Sequence, residues 1–141
     1  MAVTITGLDD VLAKLTGFAV DMDKVIDDTV KITAFKVQSQ AIFDIKEPSQ
    51  GKAIKKGSKI HIQSLEGNAP NTDTGRLIGS IMVEHNKGDQ FAFVGTNLDY
   101  GFFLETVHNR PWLEPAKEAQ VEFFADNMKA VIEKEIAEAG K

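Results

Sequence analysis

The sequence predicts an α+β fold, in which a small antiparallel β-sheet packs against a long N-terminal helix and a C-terminal helix. Three observations lead there. A stripe of apolar residues at helical spacing runs through 21–46, two alternating segments flank a turn at 86–89, and a second helical stripe follows the prolines at 111 and 115. Helices before and after a pair of hairpin-linked strands give segregated layers rather than a parallel α/β plan. At 141 residues the chain fits a single domain, 1–141, with one core. It divides into a helical part (1–46), a long loop (47–73), a sheet (74–107) and a C-terminal helix (108–141).

The first helical stretch is short. Leu8, Val11, Leu12, Leu15 and Phe18 share one face, and Thr6 with Asp9 forms a weak capping box. Gly17 is expected to loosen or end it. A second stretch, Asp21 to Lys46, repeats Ile26, Val30, Ala34, Val37, Ala41 and Ile45, with Asp28, Lys31, Lys36 and Gln38 opposite. Pro48 stops it, because a proline ring disfavours helix at the residue before it.

Residues 47–73 read as a loop carrying Pro48, Gly51, Gly57, Gly67 and Pro70, a length that is often functional in a compact domain. Lys52, Lys55, Lys56 and Lys59 cluster within it, and Lys59 to Gln63 alternates like a short strand. In the sheet, Ile81, Val83 and His85 face one way, and Ser80, Met82 and Glu84 the other. Asn86-Lys87-Gly88-Asp89 makes the turn to a second strand, Phe91 to Thr96. Tyr100 to Leu104 is either a third strand or a short helix. In the last helix, Val121, Phe124, Met128, Ile132 and Ile136 form the expected buried stripe, and Gly140 ends it.

Composition removes several function classes. Hydrophobic residues are 43% and charged residues 26%, which suits a folded globular chain. With no cysteine, disulfides and Cys-based metal sites are excluded. Met1 to Gly7 has neither a basic nor an apolar leader region, so no secretory signal is expected. No apolar run reaches the roughly 18 residues of a membrane span. The net charge of -5 disfavours general nucleic-acid binding, yet suits a surface past which DNA slides without sticking.

Three ordered segments carry a resemblance. They are Ala69-Pro70 with Asp73-Thr74-Gly75-Arg76-Leu77 and Ser80-Ile81; Val94-Gly95-Thr96 with Tyr100 and Glu105; and Arg110-Pro111-Trp112-Leu113-Glu114-Pro115-Ala116. Together they resemble the tail-completion and head–tail joining proteins of long-tailed bacteriophages. The chain departs from that pattern at Asn71-Thr72, in the short Thr106 to Asn109 connection, and in the lysine loop. The resemblance implies a non-enzymatic virion protein, made in the bacterial host cytoplasm, that forms a homo-oligomeric ring, a hexamer by the tail's symmetry. Its implied partners are the tail tube or terminator protein, the head connector protein, and genomic DNA crossing the lumen without sequence-specific binding. Such a ring needs heterologous interfaces.

Several residues carry two readings. Asp73-Thr74-Gly75 is also the tripeptide of aspartic proteases, but Arg76 follows it here and no Gly-rich flap is evident. The plainer reading is a turn, with Asp73 capping backbone donors and Gly75 supplying an unusual φ. Arg76 and Glu105 either pair across an interface or stay within the chain. Trp112 is a core residue or an interface anchor. Phe102 and Phe103, being adjacent on a strand, send one ring outward to a neighbour. Lys52, Lys55, Lys56 and Lys59 either contact DNA or a partner, as a nucleic-acid-binding or regulatory module would, or are simply solvated. The spacing around Gly51 and Gly57 fails the P-loop pattern. His61, His85 and His108 show no ligand spacing, and no cofactor is implied.

Overall fold

The computed structural model describes residues 7–140, so the expected Thr6 capping box lies outside the described residues. The α+β architecture is present. A helix α1 (Leu8–Lys46) is followed by a hairpin of β1 (Ala53–Lys56) and β2 (Lys59–Ile62), then a short helix α2 (Arg76–Ser80). A second hairpin, β3 (Ile81–Glu84) and β4 (Phe93–Thr96), leads to α3 (Asp99–Thr106) and the long α4 (Glu114–Ala139). The strands form two separate two-stranded antiparallel sheets.

α1 is one helix of 39 residues, and Gly17 does not interrupt it. A lone interior glycine costs only about 1 kcal/mol relative to alanine, which a long helix tolerates. Pro48 does act as expected. The helix stops at Lys46 and Glu47 turns extended at φ -77°, ψ 109°. Thr72 Oγ1 donates to the terminal carbonyl of Ile45 at 3.2 Å.

The core gathers at the C-terminal part of α1. Val37, Ala41 and Ile45 cluster with Leu77, Ile81, Trp112 and Ala116. Trp112 is 2% exposed, and its Nε1 donates to the Gly101 carbonyl at 3.1 Å. Gly101 sits so close to this site that a Cβ there would lie 2.6 Å from Thr96 Cγ2 and 3.2 Å from Leu77 Cδ1. Gln38 Nε2 donates to the Ile81 carbonyl at 2.8 Å and ties α1 to β3.

α4 lies along α1, with Lys36 Nζ 4.2 Å from the centre of the Phe123 ring. Its covered face differs from the expected stripe. Phe124, Met128 and Ile132 are partly covered, but Val121 and Ile136 are 58% and 56% exposed. Apolar residues occur on more than one face of α4, so spacing alone left its rotation open. The expected sheet region 74–107 also contains α2 and α3, and Tyr100 to Leu104 resolves as helix.

One buried polar contact joins distant parts of the chain. Asp27 Oδ1 is 2.8 Å from His85 Nε2 and accepts from the Gly88 N–H at 3.1 Å. Burial pushes the Asp27 carboxyl up, but the Gly88 N–H, the His85 hydrogen bond and the His85 charge together hold it below the ordinary aspartate value. A depressed folded pKa stabilises the fold above the unfolded value of 3.8, and that stabilisation is lost as pH falls through the folded pKa.

Two outcomes follow for stability. Trp112→Ala is expected to lower the unfolding free energy by about 3–5 kcal/mol, measured by denaturant titration. Asp27→Asn is expected to be less stable than the parent at neutral pH and to flatten the fall in urea midpoint below about pH 3.8, measured across an acid series.

Candidate functional site

The segment 47–73, expected as an open loop, is built around the β1–β2 hairpin. Its turn is Gly57-Ser58, with Gly57 at φ 63° in the first central position, where a two-residue hairpin turn asks for glycine. Lys56 and Lys59 face each other across it. Gly51 passes beneath the other end, and a Cβ there would lie 1.7 Å from the Gln63 carbonyl oxygen. Asn71 ties the hairpin base to the exit of α1. Its Nδ2 donates to the carbonyls of Ser49 and Ile62 at 2.8 and 2.9 Å, and its Oδ1 accepts from the Ser49 N–H at 2.9 Å. Asn71 and Thr72, the residues that depart from the resembled pattern, therefore both hold this junction.

Between the hairpin and the body lies a groove of about 540 Å³, lined among others by Ile45, Ile54, Asp73, Arg76, Tyr100 and Arg110. It brings together residues that the sequence placed in separate motifs. Asp73 does not cap backbone donors as expected; its Oδ2 accepts from Lys56 Nζ, and its Oδ1 is 3.7 Å from His61 Nδ1. The Lys56 hydrogen bond, helped by the charges of Lys56, His61 and Lys59, overcomes partial desolvation and holds Asp73 below the ordinary aspartate value. Gly75 takes φ 76° ahead of α2, as its turn reading requires. Thr74 Oγ1 makes only a long 3.4 Å contact with the Arg76 N–H. Lys56 is thus committed within the chain, while Lys52, Lys55 and Lys59 are exposed on the hairpin and its approach.

Glu105 and Arg76 do not form an intrachain pair. Glu105 Oε2 accepts from the N–H groups of Trp112 and Leu113 at 2.7 and 3.0 Å, and Oε1 from that of Glu114 at 2.9 Å. A carboxylate from α3 thereby satisfies donors at the start of α4, where Leu113 offers no capping side chain. Arg110 Nε donates to Ser64 Oγ at 2.8 Å and Nη2 to the Ser64 carbonyl at 3.1 Å, fastening the chain after the hairpin to the α3–α4 connection. Trp112 is core. Phe102 and Phe103 lie on a helix and both rings are outward, 64% and 49% exposed, with centroids 5.9 Å apart.

His61 and His108 line the groove, whereas His85 belongs to the Asp27 contact. Among the described residues no three His, Cys, Asp or Glu side chains converge as a metal site. No helix among them is long and apolar enough to cross a membrane. The sequence reading missed the Glu105 cap and the Asn71 tie, both of which join residues brought together only by the fold. Compared with protein-family models, curated proteins and solved structures, the chain matches none.

Glu105→Ala is expected to lower stability by about 1–2 kcal/mol through loss of the α4 cap, with Glu105→Gln intermediate, as read by thermal and urea unfolding.

Proposed function

We propose that this chain is a structural protein of a tailed-phage particle, acting at the head–tail joint as one subunit of a ring, with no catalytic role. The observation that carries the reading is the distribution of exposed apolar side chains. Leu8, Val11, Leu12 and Leu15 on α1, Ile54, Ile60 and Ile62 on the hairpin, and Phe91, Phe93, Phe102 and Phe103 on the body are all more than a third exposed. Grouped apolar exposure of this kind marks contact surfaces. The sets lie on different elements, which suits a subunit that meets its neighbours through unlike patches, as ring closure requires.

The motif residues fit the same reading. Glu105 and Trp112 brace α3 against the start of α4 and Arg110 fastens their connection to Ser64, so two of the segments that resemble head–tail joining proteins form a rigid frame. Asp73 is held by Lys56, which favours a fixed, ionised carboxylate over one that shares a proton with a second aspartate. In the ring, the tail tube or terminator protein would meet one side and the head connector protein the other. DNA would pass a net-acidic wall without sequence-specific contact. A hexamer would match the tail's symmetry.

A nucleic-acid-binding reading draws on the exposed Lys52, Lys55 and Lys59, and predicts salt-dependent DNA affinity that falls when they are replaced. The decisive experiment is electron microscopy of a phage carrying an early stop codon in this gene. Filled heads and separate complete tails, joined on adding purified protein, are the expected outcome. Normally joined particles would sink the head–tail reading.

A further inference from the structure

The β1–β2 hairpin has a backbone edge that no other part of the chain closes. The Gln63 N–H donates to the Lys52 carbonyl at 2.9 Å, which makes Lys52 and Gln63 a hydrogen-bonded pair of the antiparallel ladder. Such pairs alternate with pairs whose backbone groups point away from the partner strand. In the register of this hairpin, Ala53↔Ile62 and Lys55↔Ile60 are the outward-pointing pairs. On the β2 side the Ile62 carbonyl is taken by Asn71 Nδ2 at 2.9 Å. On the β1 side, among the described residues, the N–H and C=O groups of Ala53 and Lys55 find no partner in the chain. All four residues of β1 are exposed, and an open edge of this kind is a template for another strand.

Charge decides the occupant. Residues 52–62 carry four lysines and no acid. Asp73 accepts from Lys56 Nζ and also feels the charge of Lys59. Lys52 and Lys55 stand at the two ends of the open edge, on opposite faces of the hairpin, and make no ion pair among the described residues. Lysines along an edge repel a like edge, so the β1 of a second copy does not pair here. Among the other described strands outside this hairpin, β3 carries an acid, Glu84, but its edge lies against α1, where Gln38 Nε2 takes the Ile81 carbonyl. β4 has no charge to answer the lysines. We infer that the free edge of β1 receives an extended segment of a different protein, with acidic residues opposite Lys52 and Lys55 and apolar residues opposite Ala53 and Ile54. Backbone hydrogen bonds at Ala53 and Lys55 hold the added strand and the lysines select it, which is recognition by strand addition. A nucleic acid would answer the lysines but leave those backbone groups unused. The inference deepens the ring reading by naming the chemistry of one neighbour, and rests on it only for the biological setting.

Nuclear magnetic resonance on the full chain tests this directly. The probe is a capped peptide, Thr-Glu-Val-Val-Glu-Thr, which reads the same both ways and so presupposes no strand direction. Amide shifts centred on 52–56, and slowed hydrogen exchange at the Ala53 and Lys55 N–H groups, are expected. The same peptide with lysine in place of glutamate, or with methylated backbone nitrogens, should produce neither. Ala53→Pro removes one outward N–H without touching the hairpin ladder, and is expected to weaken binding by roughly tenfold or more. Lys52→Glu with Lys55→Glu should turn the preference round, toward the lysine peptide. Unchanged signals from the body, the Trp112 indole included, report that each variant is folded. Four outcomes would each overturn the inference: binding that survives backbone methylation, shifts that fall on the groove lining instead, tighter binding of oligothymidylate than of the peptide at the same lysines, or no shift at millimolar peptide. Protection of Ala53 and Lys55 that grows with protein concentration in peptide-free samples would overturn it too, by making the edge a contact between copies. These readouts use purified protein alone. The stop-codon phage decides the head–tail reading separately, so either can fail without the other.

Discussion

The Glu105 carboxylate holds the frame of this protein together. It accepts three backbone N–H groups where the chain turns from α3 into α4. That fixes Trp112, whose indole lies buried against Gly101 and donates to its carbonyl. Trp112 and Ala116 then join Val37, Ala41 and Ile45 of α1 in the core. A helix start without a cap of its own would leave donors unpaired beside this core, so a carboxylate from the preceding helix takes the place of a local capping residue. Gly101 completes the arrangement by steric need rather than by backbone conformation, since any side chain there would meet Thr96.

Around this frame the charged and polar groups divide into two kinds. Some are spent inside the chain: Asp27 on His85 and Gly88, Asp73 on Lys56, Arg110 on Ser64. Others, such as Arg76 and Lys59, stay uncommitted at the edge of an apolar groove. Exposed pairs contribute little to stability, so charges left unpaired beside apolar surface are better placed to select a neighbour than to hold the fold.

The legible parts of the fold were those set by local chemistry. The period of Ala34, Val37, Ala41 and Ile45 identified the buried face of α1, Pro48 marked its end, and Gly75 marked a turn that needs a positive φ. The illegible parts depended on contacts between residues far apart in sequence. Asp27 and His85 are separated by 58 positions, and nothing near either one announces the other. Glu105 pairs with backbone groups, which carry no residue signature, so the sequence offers Arg76 as its partner instead. Gly17 misled because a weak local penalty was outweighed by the cooperativity of a long helix. The rotation of α4 was ambiguous because Val121 and Ile136 are as apolar as the residues that α1 covers. At the candidate site, the residue types were visible but their convergence was not: Asp73, Arg76, Tyr100 and Arg110 share one groove only after the hairpin folds over the body.

The two hairpins differ in how their turns are held. The β3–β4 turn is anchored from below, with the Gly88 N–H on Asp27 and Gln90 Nε2 donating to Asp23 at 2.8 Å. The β1–β2 turn, Gly57-Ser58, is held beside its tip only by the exposed Lys56–Asp73 pair, and otherwise at its base through Gly51 and Asn71. Added sequence at the first turn would displace a buried carboxylate's partners, whereas the second can be lengthened without touching the core. The Gly57-Ser58 tip is therefore the natural place to graft an epitope or a fluorescent label, and a bulky graft there would stand beside the groove as a steric reporter of what enters it.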